Sequence, residues 1–330
     1  VPAMMAATQT LDRPVTGREF LAALAVALDV SNRLSLSMIR YLHVGWLPTT
    51  IFGTFGAACG VGKLLRLDAE QMLNAMGFAY SQICGNRQAL IDGTLAKRMQ
   101  PAFAAAAALD AARFARAGLS AARNIVSGDY GLPALYTAGR IDMDVLIGDL
   151  GNRWESANVS IKPYPSCRCS HPVIDAALEL RDGGVRARDI KAGTIKLPPT
   201  SMGQIGYPFE LRENPTVDAQ FSAQYTAALT LLRGRPRLAS FEADTIRSDE
   251  EVIELASRLT TVEHARDTSE LTPVEIHLEL SDGRTEDARV EIPSGHPDNP
   301  LTREELLAKL DDNLSYAATP LAEEKRAEIE

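Results

Sequence analysis

Cysteine, clustered positive charge and long apolar runs are all scarce in this chain. Four cysteines among 330 residues cannot build the disulfide framework of a small secreted domain, so we expect a reducing, cytoplasmic location. No run of Lys or Arg exceeds two residues, and 34 basic residues face 43 acidic ones. Because phosphate contacts need a clustered basic surface, we expect no nucleic-acid partner.

Membrane insertion is not expected either. The most apolar helical stretch, Phe103–Leu109, is far shorter than the about 20 residues that cross a bilayer. The first residues, Val1–Met5, have neither the basic nor the apolar segment of a signal peptide. The chain also begins without an initiator methionine, so we expect it to be a fragment of something longer.

Motifs that mark common cofactors or nucleophiles are missing as well. The chain has no Gly-x-Ser-x-Gly, His-Glu-x-x-His or Gly-x-Gly-x-x-Gly string. Gly62-Lys63 resembles the end of a phosphate-binding loop, but Ala57 and Leu64 replace the first glycine and the magnesium-binding hydroxyl. The string Cys167–His171 offers three metal ligands without a clear fourth. We therefore predict buried thiols there and no metal site.

The composition that remains is that of a globular protein, with 45% hydrophobic and 23% charged residues. A chain of this length is expected to form two domains. Up to about residue 150 the pattern is helical, with capping boxes at Thr16–Glu19 and Asp68–Gln71. Small residues recur every three or four positions in Ile51–Gly60, which predicts a bundle of closely packed helices.

The pattern changes after residue 150. Val274–Leu280 alternates apolar and polar residues, Asp282-Gly283 is a turn signal, and Val290 and Ile292 belong to the return strand. With the helical and strand-like segments before it, this hairpin predicts a mixed α/β domain from about 163 to 293. A capping box at Thr302–Glu305 begins the last helix, and the pattern alone does not show which domain that helix joins.

Polar groups stand in apolar or small surroundings in three segments, Asp92–Arg98, Val159–Pro165 and Gln220–Tyr225. Each segment also has an ordinary structural explanation. Lysines at helix starts or strand ends are usually solvated, and a tyrosine on an apolar helix usually packs in the core. His171, directly before Pro172, is more often a capping or surface residue than a catalytic one.

Five strings are similar to the sequence blocks of one known family, and they occur in that family's order over nearly the whole chain. They are Gly45-Trp46-Leu47-Pro48-Thr49, Asp92-Gly93-Thr94 with Lys97-Arg98, Lys162-Pro163-Tyr164-Pro165-Ser166-Cys167 with His171, Gln220-Phe221-Ser222 with Tyr225, and Asn299-Pro300-Leu301-Thr302. Any one string would be weak, whereas the ordered set is specific. On these residues the chain resembles members of the MmgE/PrpD family.

The resemblance implies a mainly α protein with an α+β lid. A large all-helical domain is expected over 1–160, and a smaller α/β domain over 161–294 is expected to be inserted before the C-terminal helix. The helix of segment 295–330 is expected to return to the helical domain. Members act on small di- or tricarboxylates without a metal or organic cofactor, usually as homodimers. We expect a hydro-lyase of the 2-methylcitrate dehydratase type, with epimerase or decarboxylase activity as the alternative.

The resemblance also allows a catalytic hypothesis for four residues. Lys97 and Lys162 are expected to meet across an interdomain cleft and to bind the carboxylates of an anionic substrate. Tyr225 and His171 are expected to donate to a leaving hydroxyl or an enolate. Burial of a lysine beside a second cation lowers its pKa, which makes proton transfer plausible.

Two departures from the family pattern favour a different hypothesis. Leu47 stands where the family has histidine, and Gly45 and Pro48 disfavour a helical register in which His43 replaces it. The family's Asp-rich segment is missing, so we expect the N-terminal part of the helical domain to be absent from this chain. The competing hypothesis is a truncated, non-catalytic homologue that binds a carboxylate or a partner chain.

Overall fold

The computed structural model describes residues 1–264, 271–322 and 325–326. Its contacts divide the chain into two compact units, Val1–Val159 and Ser160–Glu330. Each unit has hydrophobic clusters of its own. The fold is mainly α-helical with a small mixed sheet, as the sequence predicts.

The first unit, Val1–Val159, is helical. Two of its helices begin at the predicted caps: the Thr16 hydroxyl accepts a hydrogen bond from the Glu19 amide, and Asp68 and Gln71 form a complete capping box. The helices are α1 Pro2–Gln9, α2 Gly17–Met38, α3 Pro48–Leu64, α4 Ala69–Tyr80, α5 Gln88–Ile91, α6 Ala96–Arg116, α7 Leu132–Tyr136 and α8 Met143–Ile147.

Helices α2 and α3 approach each other closely at glycine, as the small-residue pattern predicts. Gly56 and Gly60 of α3 face Ala27 of α2, and a side chain at either glycine would collide with it. Lys63 lies exposed near the end of the same helix rather than in a loop. Close packing, and not phosphate binding, therefore explains this segment.

Helix α2 differs from the expectation that no segment could cross a membrane. By length and composition alone, α2 is long and apolar enough to do so. In the structure it packs against α3, and its Asp29 and Arg33 form a buried ion pair with 2.9 Å between Nε and Oδ2. These are the contacts of a core helix in a globular unit.

The described part of the second unit contains a four-stranded mixed sheet in the order β2-β1-β3-β4. The strands are β1 Ile190–Leu197, β2 Leu259–Glu263, β3 Val274–Leu280 and β4 Thr285–Val290. Strand β1 runs parallel to β2 and antiparallel to β3, and β3 pairs with β4 in antiparallel register. The predicted hairpin is thus confirmed, with Gly283 in the left-handed region at its turn.

Helices of the second unit pack on this sheet and on one another. The helices are α9 His171–Asp182, α10 Pro199–Ile205, α11 Pro215–Gln220, α12 Ala223–Arg233, α13 Ala243–Ser248, α14 Glu250–Ser257 and α15 Arg303–Ser315. Among them, α9 and α12 pack against each other, α9 also contacts β3, and α12 contacts β2. The core that they share buries Ile195, Ile276 and Leu278 completely.

The last helix, α15, is grouped with the second unit by its contacts, and its expected return to the helical domain stays a prediction. Its Glu305 pairs with Arg235 at 3.1 Å, and its Asp312 accepts a hydrogen bond from the Leu238 amide at 3.0 Å. The predicted capping box of Thr302 and Glu305 is present. These polar contacts attach α15 to the chain that follows α12.

Candidate functional site

The four predicted site residues are distributed over both units. Lys97 is half-buried in the first turn of α6, in the first unit. Lys162, His171 and Tyr225 belong to the second unit. It therefore stays a prediction that Lys97 and Lys162 bind one substrate. The two lysines lie among different residues.

Two of the family-like strings lie next to each other in the first unit. The Gly45–Leu47 string exchanges backbone hydrogen bonds with Gly85 and Arg87, at 3.2 and 2.9 Å. Gln100 of α6 binds both backbone polar groups of Asn86 through its side-chain amide. The beginning of α6, which follows the Asp-Gly-Thr string, is therefore tied to the Gly-Trp-Leu-Pro string.

The polar groups near Lys97 differ from those that the family pattern implies. Leu47, at the position of the family histidine, is buried and offers no polar side chain. Arg87, which sequence reasoning missed, has a buried Nε without a hydrogen-bond partner in the described part of the chain. Asp92 accepts a hydrogen bond from Gln88 Nε2 at 2.7 Å. Arg87 gave no sequence signal, because a single arginine between short helices is normally solvated.

In the second unit, the string that starts at Lys162 folds into a compact polar turn. The Lys162 side chain is exposed, and its Nζ donates to the Ser166 carbonyl at 3.0 Å. The Ser170 hydroxyl donates to the Cys167 carbonyl at 2.8 Å, so its oxygen accepts the proton of the Ser166 hydroxyl at 2.7 Å. These bonds hold Lys162 beside the start of α9.

Tyr164 anchors this turn from inside. Its hydroxyl donates to Asp175 Oδ1 at 2.6 Å, and Asp175 Oδ2 accepts from the Ser294 amide at 2.7 Å. The Arg235 guanidinium lies over the Tyr164 ring, 5.1 Å from its centroid. Burial, together with the negative charge of Asp175, raises the pKa of the Tyr164 hydroxyl. Tyr164 therefore stays protonated and positions the turn.

His171, the first residue of α9, is fully buried, and neither ring nitrogen has a hydrogen-bond partner among the described residues. The ring packs edge-on against Tyr164, with centroids 5.3 Å apart. Burial, then the positive charges of Arg168 and Lys162, lowers the pKa of His171 to about 3. The nearby Ser166 backbone opposes this shift, although it does not form a hydrogen bond of normal geometry with either ring nitrogen. The imidazole is therefore neutral at pH 7. It can offer one N–H and one acceptor nitrogen, but no imidazolium proton.

Two polar groups that were not predicted for the site accompany this turn. Nη1 of Arg168 and Oγ of Ser201 are buried without a hydrogen-bond partner in the part of the chain that the structure describes. Helix α10, which carries Ser201, packs against the 3₁₀ turn Arg168–Ser170. The sequence signal for Arg168 was its place in the cysteine-containing string before His171. Ser201 gave none, because it follows two prolines in a segment without helical periodicity.

The cysteine-containing string is not arranged as a metal site. Among the described residues, no group of three His, Cys, Asp or Glu side chains is placed to hold a metal ion. Cys167 and Cys169 are buried in the core of the second unit, as the sequence predicts. None of the four cysteines forms a disulfide bond.

Tyr225, in the first turn of α12, is also fully buried. Its ring lies 4.9 Å from that of Phe209, and its hydroxyl is buried with no partner among the described residues. Burial raises the pKa of Tyr225, so the phenol keeps its proton. Ser222 caps α12, and Gln220 donates to the Pro165 carbonyl at 2.7 Å. The Gln-Phe-Ser-x-x-Tyr string thus supports the Lys162 turn, and a catalytic role for Tyr225 stays a prediction.

A second polar region of this unit is a cavity of about 490 Å³ lined by Arg181, Arg186 and Arg188 beside Asp182. The Arg181 guanidinium donates to backbone carbonyls at the end of α12. Of the described residues that line this cavity, none has a buried side-chain nitrogen or oxygen without a partner. The turn from Lys162 to His171 is therefore the better candidate, because buried polar atoms without partners call for a ligand.

Comparisons with known proteins identify the family. The sequence profile of the MmgE/PrpD N-terminal domain matches residues 1–143, and that of the MmgE/PrpD C-terminal domain matches residues 164–330. The chain is 28% identical over 330 residues to a cis-aconitate decarboxylase-like protein of Aspergillus oryzae, covering 94% of this chain and 68% of that protein.

Similar values hold for two proteins named cis-aconitate decarboxylase. The protein of Aspergillus terreus is 26% identical, with 94% of this chain and 67% of that protein covered. The human protein is 27% identical over 334 residues, with coverages of 96% and 66%. The chain thus spans about two thirds of the length of these relatives. Since the two profiles together cover most of the chain, it belongs to the MmgE/PrpD family.

Proposed function

We propose that this protein is a cofactor-independent lyase that removes carbon dioxide from a small unsaturated tricarboxylate such as cis-aconitate. The observation that carries the proposal is the turn from Lys162 to His171, which combines cations with a buried, neutral imidazole that has no partner among the described residues. The names of the similar proteins supply the substrate class.

The chemistry of such a decarboxylation suits these groups. The bond from carbon to the departing carboxylate breaks, and its electron pair forms a new double bond to the central carbon. The electrons of the original double bond move to the carbon beside a remaining carboxylate. Carbon dioxide leaves, and one proton is added at that carbon. Negative charge therefore builds on the remaining carboxylate in the transition state, where fixed cations and hydrogen-bond donors stabilise it.

Each residue of the turn then has a defined role. Lys162 uses one of its three Nζ protons for the Ser166 carbonyl, which leaves donors for a substrate carboxylate. His171 donates a hydrogen bond from its neutral ring to the developing enolate. Lys97, in the first unit, keeps its proposed role as a cation for a substrate carboxylate, which its own alanine variant tests.

The neutral imidazole favours decarboxylation over dehydration. Loss of water needs an acid that protonates the leaving hydroxyl. With a pKa of about 3, His171 carries almost no imidazolium at pH 7 and cannot be that acid. Decarboxylation needs no protonated leaving group, and the carbon that receives the electron pair takes its proton from water. A neutral imidazole that donates a hydrogen bond to the developing enolate is therefore sufficient for this step. A hydro-lyase of the 2-methylcitrate dehydratase type is the second candidate and requires a different proton donor.

Turnover followed by NMR tests the proposal with cis-aconitate, 2-methylcitrate and iminodisuccinate. We expect carbon dioxide release from cis-aconitate and a loss of about 100- to 1,000-fold in kcat for Lys162→Ala. Lys191→Ala, which changes an exposed lysine of β1, is the matched control and should keep full activity. Unchanged turnover in Lys162→Ala would refute the assignment, and binding without turnover of any acid would support a non-catalytic homologue.

A homodimer in the cytoplasm is part of the same proposal. The support for it is the family alone. Light scattering of the purified chain measures the mass, and a monomer at micromolar concentration would contradict the dimer.

A further inference from the structure

Arg168 is a cation of the second unit, and the acid nearest in effect to it, Asp175, is already occupied by other hydrogen-bond donors. Nη1 of Arg168 is buried without a hydrogen-bond partner in the described part of the chain, and no ion pair found there includes this arginine. Asp175 is the acid that acts on it, but both carboxylate oxygens of Asp175 already accept hydrogen bonds from Tyr164 and Ser294. Burial lowers the pKa of Arg168, although a guanidinium remains charged at any physiological pH.

Such an arrangement opposes folding. A guanidinium N–H that is removed from water without a hydrogen-bond partner destabilises the folded state, because its lost hydration is not replaced. The planar guanidinium also matches the two oxygens of a carboxylate, which makes arginine the usual residue for binding this group. A buried guanidinium nitrogen without a partner is therefore better explained by an anionic ligand than by the stability of the fold.

The neighbours of Arg168 provide further hydrogen-bonding groups. Helix α10 packs against the turn that carries Arg168, and its Ser201 has a buried hydroxyl without a partner among the described residues. His171 is near enough for the charge of Arg168 to act on its ring. An oxygen-rich ligand would satisfy the arginine, the serine and the imidazole together.

We propose that Arg168 and Ser201 form a buried carboxylate-binding site, in which the guanidinium holds one carboxylate of the substrate. The inference rests on the proposed function for the class of substrate. It makes Arg168 the residue that distinguishes a tricarboxylate from a dicarboxylate, because it binds a carboxylate in addition to those held by lysine.

The test compares two inert acids by calorimetry on the full chain. Tricarballylate has three carboxylates on a saturated propane skeleton, and glutarate lacks the middle one. The wild type is expected to bind tricarballylate at least about tenfold more tightly than glutarate. Arg168→Met should weaken tricarballylate binding by about 10- to 100-fold, as loss of a charged hydrogen bond does, and should equalise the two acids. Arg188→Met removes an exposed arginine, 86% accessible, and should change neither affinity.

Thermal unfolding separates a ligand-binding arginine from a structural one. Removal of the buried Nη1 donor relieves its desolvation cost, so ligand-free Arg168→Met should unfold a few degrees above the wild type. Tricarballylate should raise the melting temperature of the wild type but not that of the variant. Ser201→Ala keeps the charge and should weaken tricarballylate binding only about threefold to tenfold.

Three results would overturn the inference: equal tricarballylate affinity in wild type and Arg168→Met, a lower melting temperature of the ligand-free variant, or no binding of either acid by the wild type. A wild type that binds tricarballylate through Arg168 but turns over no substrate would support this site. That result would refute the proposed lyase activity alone, so the two failures are distinguishable.

Discussion

Two arginines, one in each unit, contrast in how their buried donors are used. Arg33 of α2 is 2% exposed, and its Nε pairs with Asp29 at 2.9 Å. Its remaining nitrogens donate to four backbone carbonyls between Val145 and Arg153. Arg168 instead has a buried Nη1 without a partner among the described residues. Burial alone therefore does not mark a functional arginine, whereas the list of its partners does.

The paired arginine organises its surroundings. The second oxygen of Asp29 accepts a hydrogen bond from the Glu155 amide at 2.6 Å, so the Asp29–Arg33 pair fastens the segment from 145 to 155 to α2. Every bond in this cluster is made within the first unit. Near Arg168, by contrast, buried polar atoms have no partner among the described residues, which is what the proposed carboxylate site requires.

Substitution of Arg33 should have the largest effect. Arg33→Met leaves the Asp29 carboxylate and four carbonyls buried without their donor, so the free energy of unfolding should fall by about 3–5 kcal/mol. Urea denaturation measures this loss. Arg18→Met, at an exposed position of the same helix, is the control and should leave stability unchanged. A loss below about 1 kcal/mol for Arg33→Met would remove the contrast with Arg168.

The second-largest loss of stability is expected for a substitution of Gly295, which holds the residue before Lys162 in place. Its carbonyl accepts a hydrogen bond from the Ile161 amide at 2.9 Å, and its φ is 79°. A Cβ at this position would collide with the Ile161 carbonyl. Gly295→Ala should therefore lower the free energy of unfolding by about 2–4 kcal/mol, through left-handed strain and overpacking together.

Gly283 provides the matched comparison for that variant. It has a φ of 87° in the β-hairpin turn, but nothing lies within 4 Å of a Cβ built there. Gly283→Ala should cost only the left-handed strain, about 1–2 kcal/mol. Equal losses of stability in the two variants would mean that the collision between a Cβ at position 295 and the Ile161 carbonyl contributes nothing.

The sequence predicts those features of the fold that depend on local chemistry. The caps at Thr16, Asp68 and Thr302 and the β3–β4 hairpin are present, because a cap or a two-residue turn needs only neighbouring residues. The contacts of α15 could not be predicted, because they include the ion pair between Glu305 and Arg235, 70 residues apart.

The site was predictable only in part, for a related reason. The string around Lys162 and His171 locates the polar turn, but it does not show that the imidazole is buried and neutral. Arg168 and Ser201 become notable only when folding removes water from their polar atoms. Burial is produced by segments distant in sequence, so no spacing of residues reports it.

Acid should destabilise the second unit through His171. The imidazole titrates near 6.5 in the unfolded chain and near 3 in the folded protein. Between these values the unfolded state binds more protons, so stability is complete above about pH 6.5 and falls as the pH decreases. From pH 7.5 to pH 5 this residue should remove about 2 kcal/mol.

Urea titrations at several pH values measure that contribution. His171→Leu should flatten the stability profile between pH 7.5 and 5 relative to the wild type. His43→Leu, which changes an exposed histidine of the first unit, is the control and should leave the profile as it is. A parallel profile in His171→Leu would show that the ring is not held neutral.

The smallest effect is expected for the half-exposed pair of Glu305 and Arg235. The pair positions a guanidinium over Tyr164, but solvent screens it, so a double-mutant cycle of Glu305→Gln and Arg235→Met should give a coupling below about 1 kcal/mol. Glu304→Gln, in the same turn of α15, should show no coupling to Arg235→Met. A coupling above about 2 kcal/mol would place this pair with the buried Asp29–Arg33 pair. The geometry of the contacts that an arginine makes, and not its burial, would then determine its contribution to the free energy of unfolding.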